Sequence, residues 1–443
     1  MKTIKKQQKK KQHKKAYSNN NRHSGEEQSD DSRIDSGRVR SSLARMTLSN
    51  IFIFLFLIFL PTQLGKHFFF DFSYISGIRV DYLAPTLYVT DILVLLLIML
   101  NIKTVITSFL QKKVLMVFFL LLLTVLFAQN QLVSIYRYIK LFELAGVFFI
   151  LRKNKPPIKI LLSAFTIGGV FELSLAVAQF VSKHSLQGIF YFFGERPLSL
   201  SMPGIAKASL QGIEILRPYA TFSHPNSLGG FYLLLYFFVL TRQTINGSLI
   251  KPGTVWYLAK NLLLLVSTIL VFLSFSKIAI GTYLFLNIIY LWKSPLRKHC
   301  TFCFVSRILV ISIVSLLFFQ AHADPLTVQK RVILIENAVT LIKQHPVIGV
   351  GLGNYIAASG QFSAKYLDLL NQPVHNVMLL LLSELGIVFV VILLIAFYKE
   401  IKSFIQKFPY IVVVILITGF FDHYWLTLQQ NIFLLITVMG VIL

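Results

Sequence analysis

Long uninterrupted apolar runs constrain this chain more than any other feature. LSNIFIFLFLIFL, DILVLLLIML, KILLSAFTIGGVFELSLAVAQF and KNLLLLVSTILVFL are examples, and similar runs recur to the end of the sequence between short polar connectors. A stretch of this kind has no polar face to offer water. In hydrocarbon its peptide groups must bond within the segment, and a helix satisfies that requirement. Only 14% of the residues are charged, well below the roughly 25% of a soluble domain, which excludes an ordinary soluble globule. The expected fold class is all-α. The chain reads as a polytopic membrane protein with about twelve spans (ten to twelve), several shorter than the ~20 residues a bilayer core asks for.

Charge is distributed unevenly along this frame. Lys+Arg 43 against Asp+Glu 18 gives a formal net charge of +25. Residues 1–46 are basic and almost free of apolar clusters, so they cannot bury enough surface to offset their ordering entropy. They read as a disordered cytoplasmic tail, followed by a membrane domain over 47–443. A polybasic segment just before a first span suits anionic lipid, so membrane lipids, and not nucleic acid, are its expected partners. Further basic residues gather in alternate short loops: Lys112 and Lys113; Arg152, Lys153 and Lys155; Arg297 and Lys298; Lys399, Lys402 and Lys407. By the positive-inside rule these loops face the cytoplasm. Both termini then face the cytoplasm. Two cysteines make no disulfide framework, and Cys300-x-x-Cys303 lacks a second ligand pair for zinc.

Two segments on the opposite, outer side, about 182–226 and 322–375, are longer than connectors need to be, and long loops usually carry function. The first holds LRPYATFSHPNSLGGF (216–231). Arg217 there is a guanidinium suited to phosphate or pyrophosphate, or equally an interfacial arginine snorkelling to headgroups. His224 reads first as a turn-stabilising side chain. Gly229 and Gly230 would let the next helix pack closely. The second loop holds QKRVILIENAVTLIKQHPVIGVGLGNY (329–355). Val332, Ile335, Val339 and Ile342 recur at helical spacing, and an amphipathic helix is expected over 329–344, with Arg331 in its first turn. Gly349, Gly351 and Gly353 lack a βαβ context for nucleotide binding and read as a flexible turn. His375 stands where the chain re-enters the membrane, beside Asn376, with Glu384 and Gly386 on the same run. An imidazole at that interface is suited to take a proton from an incoming hydroxyl, although from this residue alone an interfacial histidine without chemistry is the first reading. Arg137, Lys140 and Glu143 fall within a span and are expected to pair internally. Lys277, Asp422 and His423 sit near the outer ends of other spans. The outer loops hold no acidic pair spaced for a metal.

Together, LRPYATFSHPNSLGGF, SFSKIAIG (274–281), RVILIENAVTLIKQHPVIGVGLGNY (331–355) and HNVMLLLLSELGIVF (375–389) resemble the O-antigen ligase/O-antigen polymerase family of bacterial membrane glycosyltransferases. His375-Asn376, nine residues and Gly386 follow the family's ligase pattern, which ends in Gly, Thr or Tyr where this chain has Phe389; Ser276-Lys277-Ile278 stands where the family often has Ser-Arg-Gly. The resemblance implies a C-type glycosyltransferase fold and surface polysaccharide synthesis without metal or other cofactor. It implies a glycan donor on undecaprenyl (polyprenyl) pyrophosphate and a glycan or lipid-linked acceptor. Arg217 and Arg331 would bind pyrophosphate, and His375 would be the base. His224, Asn226, Lys277, Asn376, Glu384, Asp422 and His423 would support them. A transporter or lipid-linked-sugar flippase is the rival, but it should place its charges near the bilayer midplane on broken helices.

Overall fold

A computed structural model describes residues 48–202, 204–210, 212–242, 253–293, 325–360 and 371–443, with a few isolated positions between them. The tail 1–46, Cys300 and Cys303, loop residues 361–370 and most of the span expected near 307–321 lie outside the described residues. The protein is mostly helical, as expected. The helices used below are α1 (Leu48–Phe59), α2 (Val89–Leu100), α3 (Gln131–Asn154), α4 (Ile158–Ser182), α5 (Pro225–Thr241), α6 (Val255–Leu273), α7 (Lys277–Lys293), α8 (Pro325–Gln344), α9 (Val377–Leu385), α10 (Ile387–Ala396), α11 (Pro409–Phe421) and α12 (Gln429–Ile442). Short antiparallel ribbons join them, among them Gly65–His67 with Thr86–Tyr88 and Lys207–Leu210 with Ile213–Leu216. A purely helical reading misses these ribbons because strands this short leave little alternation to detect.

Among the described residues, α4 and α6 are each long and apolar enough to cross a membrane; counting each of three sharply bent pairs as one span raises the number to five. α1, α5 and α12 are apolar but shorter. Local chemistry sets where the helices begin. The Asn130 side chain accepts from the backbone of Leu132 and Val133 at the start of α3, satisfying donors that have no partner within the helix.

α8 begins at Pro325, earlier than the apolar spacing suggests, so Arg331 lies in its second turn rather than its first. The packed face also differs from expectation. Leu334, Ala338 and Leu341 enter a core with Val350, Tyr355, Val374 and Leu380, while Val332, Ile335 and Val339 are exposed. Apolar residues occupy both faces of α8, so periodicity alone could not say which one packs. Truncating the fully buried Leu334 to Ala should cost about 2–5 kcal/mol.

The glycine run is no flexible turn. Val350 N–H donates to Ser383 O (2.9 Å) and Gly351 N–H to Glu384 O (3.0 Å), while Ile387 N–H donates to Pro346 O (2.7 Å). These bonds staple residues 346–351 to the junction of α9 and α10, where the chain bends by 109°. Gly349 and Gly386 make the contact possible. Both have positive φ, and a Cβ would lie 2.4 Å from Glu384 O or Val347 O respectively.

Lys140 on α3 pairs with Asp91 of α2 and lies 3.3 Å from Glu143. Gln429 at the start of α12 also donates to Asp91. Arg137 takes a different partner, donating from Nη2 to Tyr82 O at 2.9 Å.

Candidate active site

The 207–216 hairpin runs directly into Arg217, and the following residues are held from below by α4. The Gln179 carboxamide accepts from Tyr219 N–H (3.0 Å) and Ala220 N–H (2.8 Å) and donates to Ala220 O (3.1 Å). Two turns earlier, Glu172 accepts from Thr221 N–H (3.0 Å) and from its hydroxyl (2.6 Å). The clamp holds Ala220 at φ 50, a left-handed conformation that non-glycine residues seldom adopt. Burial pushes the Arg217 guanidinium down to about 10, so it stays charged near neutrality.

Arg217 is turned into the protein. Its Nε and Nη2 donate to Ser274 O (3.0 and 2.9 Å), and Nη2 also donates to Asn226 Oδ1 (2.6 Å). Asn226 in turn donates from Nδ2 to Asp422 Oδ2 (3.0 Å). Two glycines of α5 admit these partners: a Cβ on Gly229 would lie 2.5 Å from Ser274 Oγ, and one on Gly230 2.2 Å from Tyr424 Oη. His224 caps α5, accepting from Asn226 N–H through Nδ1 at 3.1 Å. Burial first, then the Arg217 charge, lowers its pKa to about 3.

The second half of the site comes from α9 and from the connection after α11. Asn376 caps α9 by accepting from Leu379 N–H (2.9 Å), and its Nδ2 donates to Phe420 O at the end of α11 (3.0 Å). Its neighbour His375 is thereby brought to Asp422, just past α11, with Nδ1 3.4 Å from Oδ1. Nδ1 is buried and makes no well-formed hydrogen bond, so the contact is a close approach that becomes an ion pair only when the ring gains a proton. The His423 ring lies 5.0 Å from the His375 ring, and its Nδ1 is 2.6 Å from Thr427 Oγ1. Burial keeps His423 neutral, with its pKa lowered to about 3. For Asp422, burial opposes ionisation, yet the neighbouring imidazoles, His375 foremost, hold its carboxyl well below the usual range.

Arg331 of α8 completes the group. It lies within Coulombic reach of Arg217 and His423, and its buried Nε has no hydrogen-bond partner. Arg217, His224, Asn226, Arg331, His375, Asn376, Asp422 and His423, drawn from distant parts of the chain, therefore converge. Two do not. Lys277 is exposed at the start of α7, and Glu384 instead accepts from the Gly353 and Tyr355 backbone, fixing the glycine run. Ser274, Glu172 and Gln179 escaped the sequence reading. A signal existed in FELSLAVAQF, where Glu172 and Gln179 stand seven apart on one face of an apolar run.

His375, Asp422 and His423 offer ligand atoms all within 4.8 Å of one another, a donor set of a kind that takes zinc or iron. A search for acidic pairs in the outer loops overlooks it. The surroundings oppose a dication. Asp422 already accepts from Asn226 Nδ2 and from His423 N–H (2.8 Å), and two arginines stand close by. The same surroundings suit an anion next to an imidazole that gains a proton.

No curated protein matches the chain. Residues 262–394 match the family model for O-antigen ligase; Lys277, Arg331, His375 and Glu384 fall inside that segment, Arg217 and Asp422 outside it. The match falls on three of the four motifs that carried the resemblance, and over that segment the chain is similar to the O-antigen ligase family.

Proposed function

We propose that the protein transfers or polymerises a glycan carried on polyprenyl pyrophosphate, joining it to an acceptor hydroxyl at the outer face of the cytoplasmic membrane. The carrying observation is the convergence of two arginines, one with an unpartnered buried Nε, on a His375–Asp422 pair. About twelve spans with both termini inside is the topology that goes with this reading.

The chemistry follows from these groups. His375 Nδ1 faces Asp422, which leaves Nε2 to take the acceptor's O–H proton. The acceptor oxygen attacks the anomeric carbon, a new C–O bond forms, and the bond to the pyrophosphate oxygen breaks with its electron pair on the leaving group. One displacement inverts the anomeric centre. Asp422 stabilises the imidazolium that results, as a carboxylate behind a catalytic histidine does. Arg331 and the Nη1 side of Arg217 offset the charge on the departing pyrophosphate. No step calls on a metal.

The test is transfer in vesicles from a polyprenyl-pyrophosphate-linked glycan. Wild type should release polyprenyl pyrophosphate and give an inverted linkage; a retained linkage would refute a single displacement. Asp91, Lys140 and Glu143 are what a transporter would require within its helices, but they are tied to one another.

A further inference from the structure

Gly188–Phe193, GIFYFF, is a short 3-10 stretch with no polar side chain except the Tyr191 hydroxyl. Phe190 and Phe193 pack against Phe171 of α4, with ring centroids 6.3 and 5.2 Å away. Ile189, Tyr191 and Phe192 turn outward, and Ile189 and Phe192 keep 68% and 67% of their surface exposed. Burying a side chain of this size is worth about 1.5–3 kcal/mol, so two such residues held outward call for an apolar surrounding.

The position of the segment identifies that surrounding. Ile167, Val170, Val177 and Val181 form an exposed apolar stripe along α4, which is long and apolar enough to cross a membrane. Phe171 stands on the flank of this stripe, about 16 Å short of the helix's C-terminal end at 1.5 Å per residue. The segment therefore folds back beside α4 instead of projecting from its end. What covers the stripe covers the segment, and for a spanning helix that is lipid. Lys183 before it and Arg196 after it are exposed, as basic residues flanking an interfacial element are.

We propose that Gly188–Phe193 is an interfacial element inserted among the acyl chains of the leaflet on the active-site side. It is wired to the site. Glu195 accepts from Leu186 N–H (2.9 Å) and from Gln179 Nε2 (2.8 Å), and Gln179 clamps the residues after Arg217. On the function proposed above, insertion sets the depth of Arg217 at the height where a membrane-embedded polyprenyl carrier presents its phosphates.

The experiment uses the full chain in vesicles of phosphatidylethanolamine and phosphatidylglycerol. Phe192→Trp is read as a difference from wild type, which removes the native tryptophans. The added emission should be blue-shifted, unaffected by aqueous iodide, and mostly lost when lipid brominated near the top of its acyl chains is included. Quenching by iodide would place the segment in water and overturn the proposal. Protection from both quenchers would overturn it too, by placing another protein surface over the segment. If Phe192→Trp fails to insert, Tyr191→Trp reports on the same face. The measurement needs no turnover, so it stands or falls apart from glycosyl transfer.

Discussion

Asn226 Nδ2 donates to Asp422 Oδ2 across 3.0 Å, joining residues 196 positions apart. Because Asn226 Oδ1 also accepts from Arg217, one carboxamide couples a candidate pyrophosphate-binding cation to the carboxylate behind the candidate base. Asn226→Ala should leave the fold intact and lower turnover roughly tenfold, the worth of a charge-assisted hydrogen bond of about 1.5–3 kcal/mol. Asn226→Asp should do worse, because it sets a second carboxylate against Asp422. Steady-state transfer assays on both variants check this; wild-type turnover in Asn226→Ala would show that the link is decorative.

The two arginines should respond differently to lysine. Arg217 uses Nε and Nη2 together on Ser274 O and Asn226, a geometry an ammonium cannot copy. Arg217→Lys is expected to lose tenfold or more through misplacement of Asn226, on the order of one or two such bonds. Arg331 has fewer fixed partners, so Arg331→Lys should chiefly raise KM for the lipid-linked donor. Unchanged kinetics in both would make them interfacial anchors.

Gly386 is where the ligase pattern becomes geometry. The nine residues between His375-Asn376 and Gly386 are the whole of α9, capped by Asn376 and ended by a glycine at φ 76. Gly386→Ala meets both an unfavourable φ and Val347 O, so a loss of about 1–3 kcal/mol is expected, visible as a lower Tm. Gly77→Ala, also at positive φ but with open space around it, should cost less. Equal effects would mean that conformation alone matters and the docked glycine run does not.

Acid should weaken the protein through its buried histidines. His224 and His423 are held near pKa 3, against about 6.5 in an unfolded chain. Between those values the unfolded state binds protons that the folded state refuses, so stability falls as pH drops from about 6.5 toward 3. Each histidine contributes up to about 1.4 kcal/mol per pH unit in that window. Asp422, with its pKa lowered, adds a loss in the same direction only below its ordinary value near 3.9. Thermal melts in detergent should show the slope, and His423→Gln should reduce it; an identical slope in the variant would place the titration elsewhere.

Much of this was legible in the sequence, and the omissions share a cause. Apolar runs announce helices because their length and composition are local properties, and the HN-x9-G spacing marks a helix with both of its ends. Arg217, Arg331 and His375 stand out as polar residues at the borders of such runs. Ser274 could not be found because it acts through its carbonyl, which every residue possesses. His375, Asp422 and His423 were named, but their closeness as one donor set was not legible, because they approach only after α9 and α11 are tied together by Asn376. The face of α8 was misjudged because Leu334 and Val332 are equally apolar, and only the partner elements decide between them.

The central claim is that His375 is the general base and that Asp422 orients it without a metal. The most direct measurement is transfer by His375→Ala in vesicles, run beside wild type with and without chelator. A general base typically contributes 10²–10⁴-fold, so the variant should lose about that much transfer while still inserting and binding the lipid-linked donor, and chelator should leave wild type unchanged. An active His375→Ala protein would contradict the claim. So would a wild type silenced by chelator and restored by a divalent cation, a result that would make His375, Asp422 and His423 metal ligands instead.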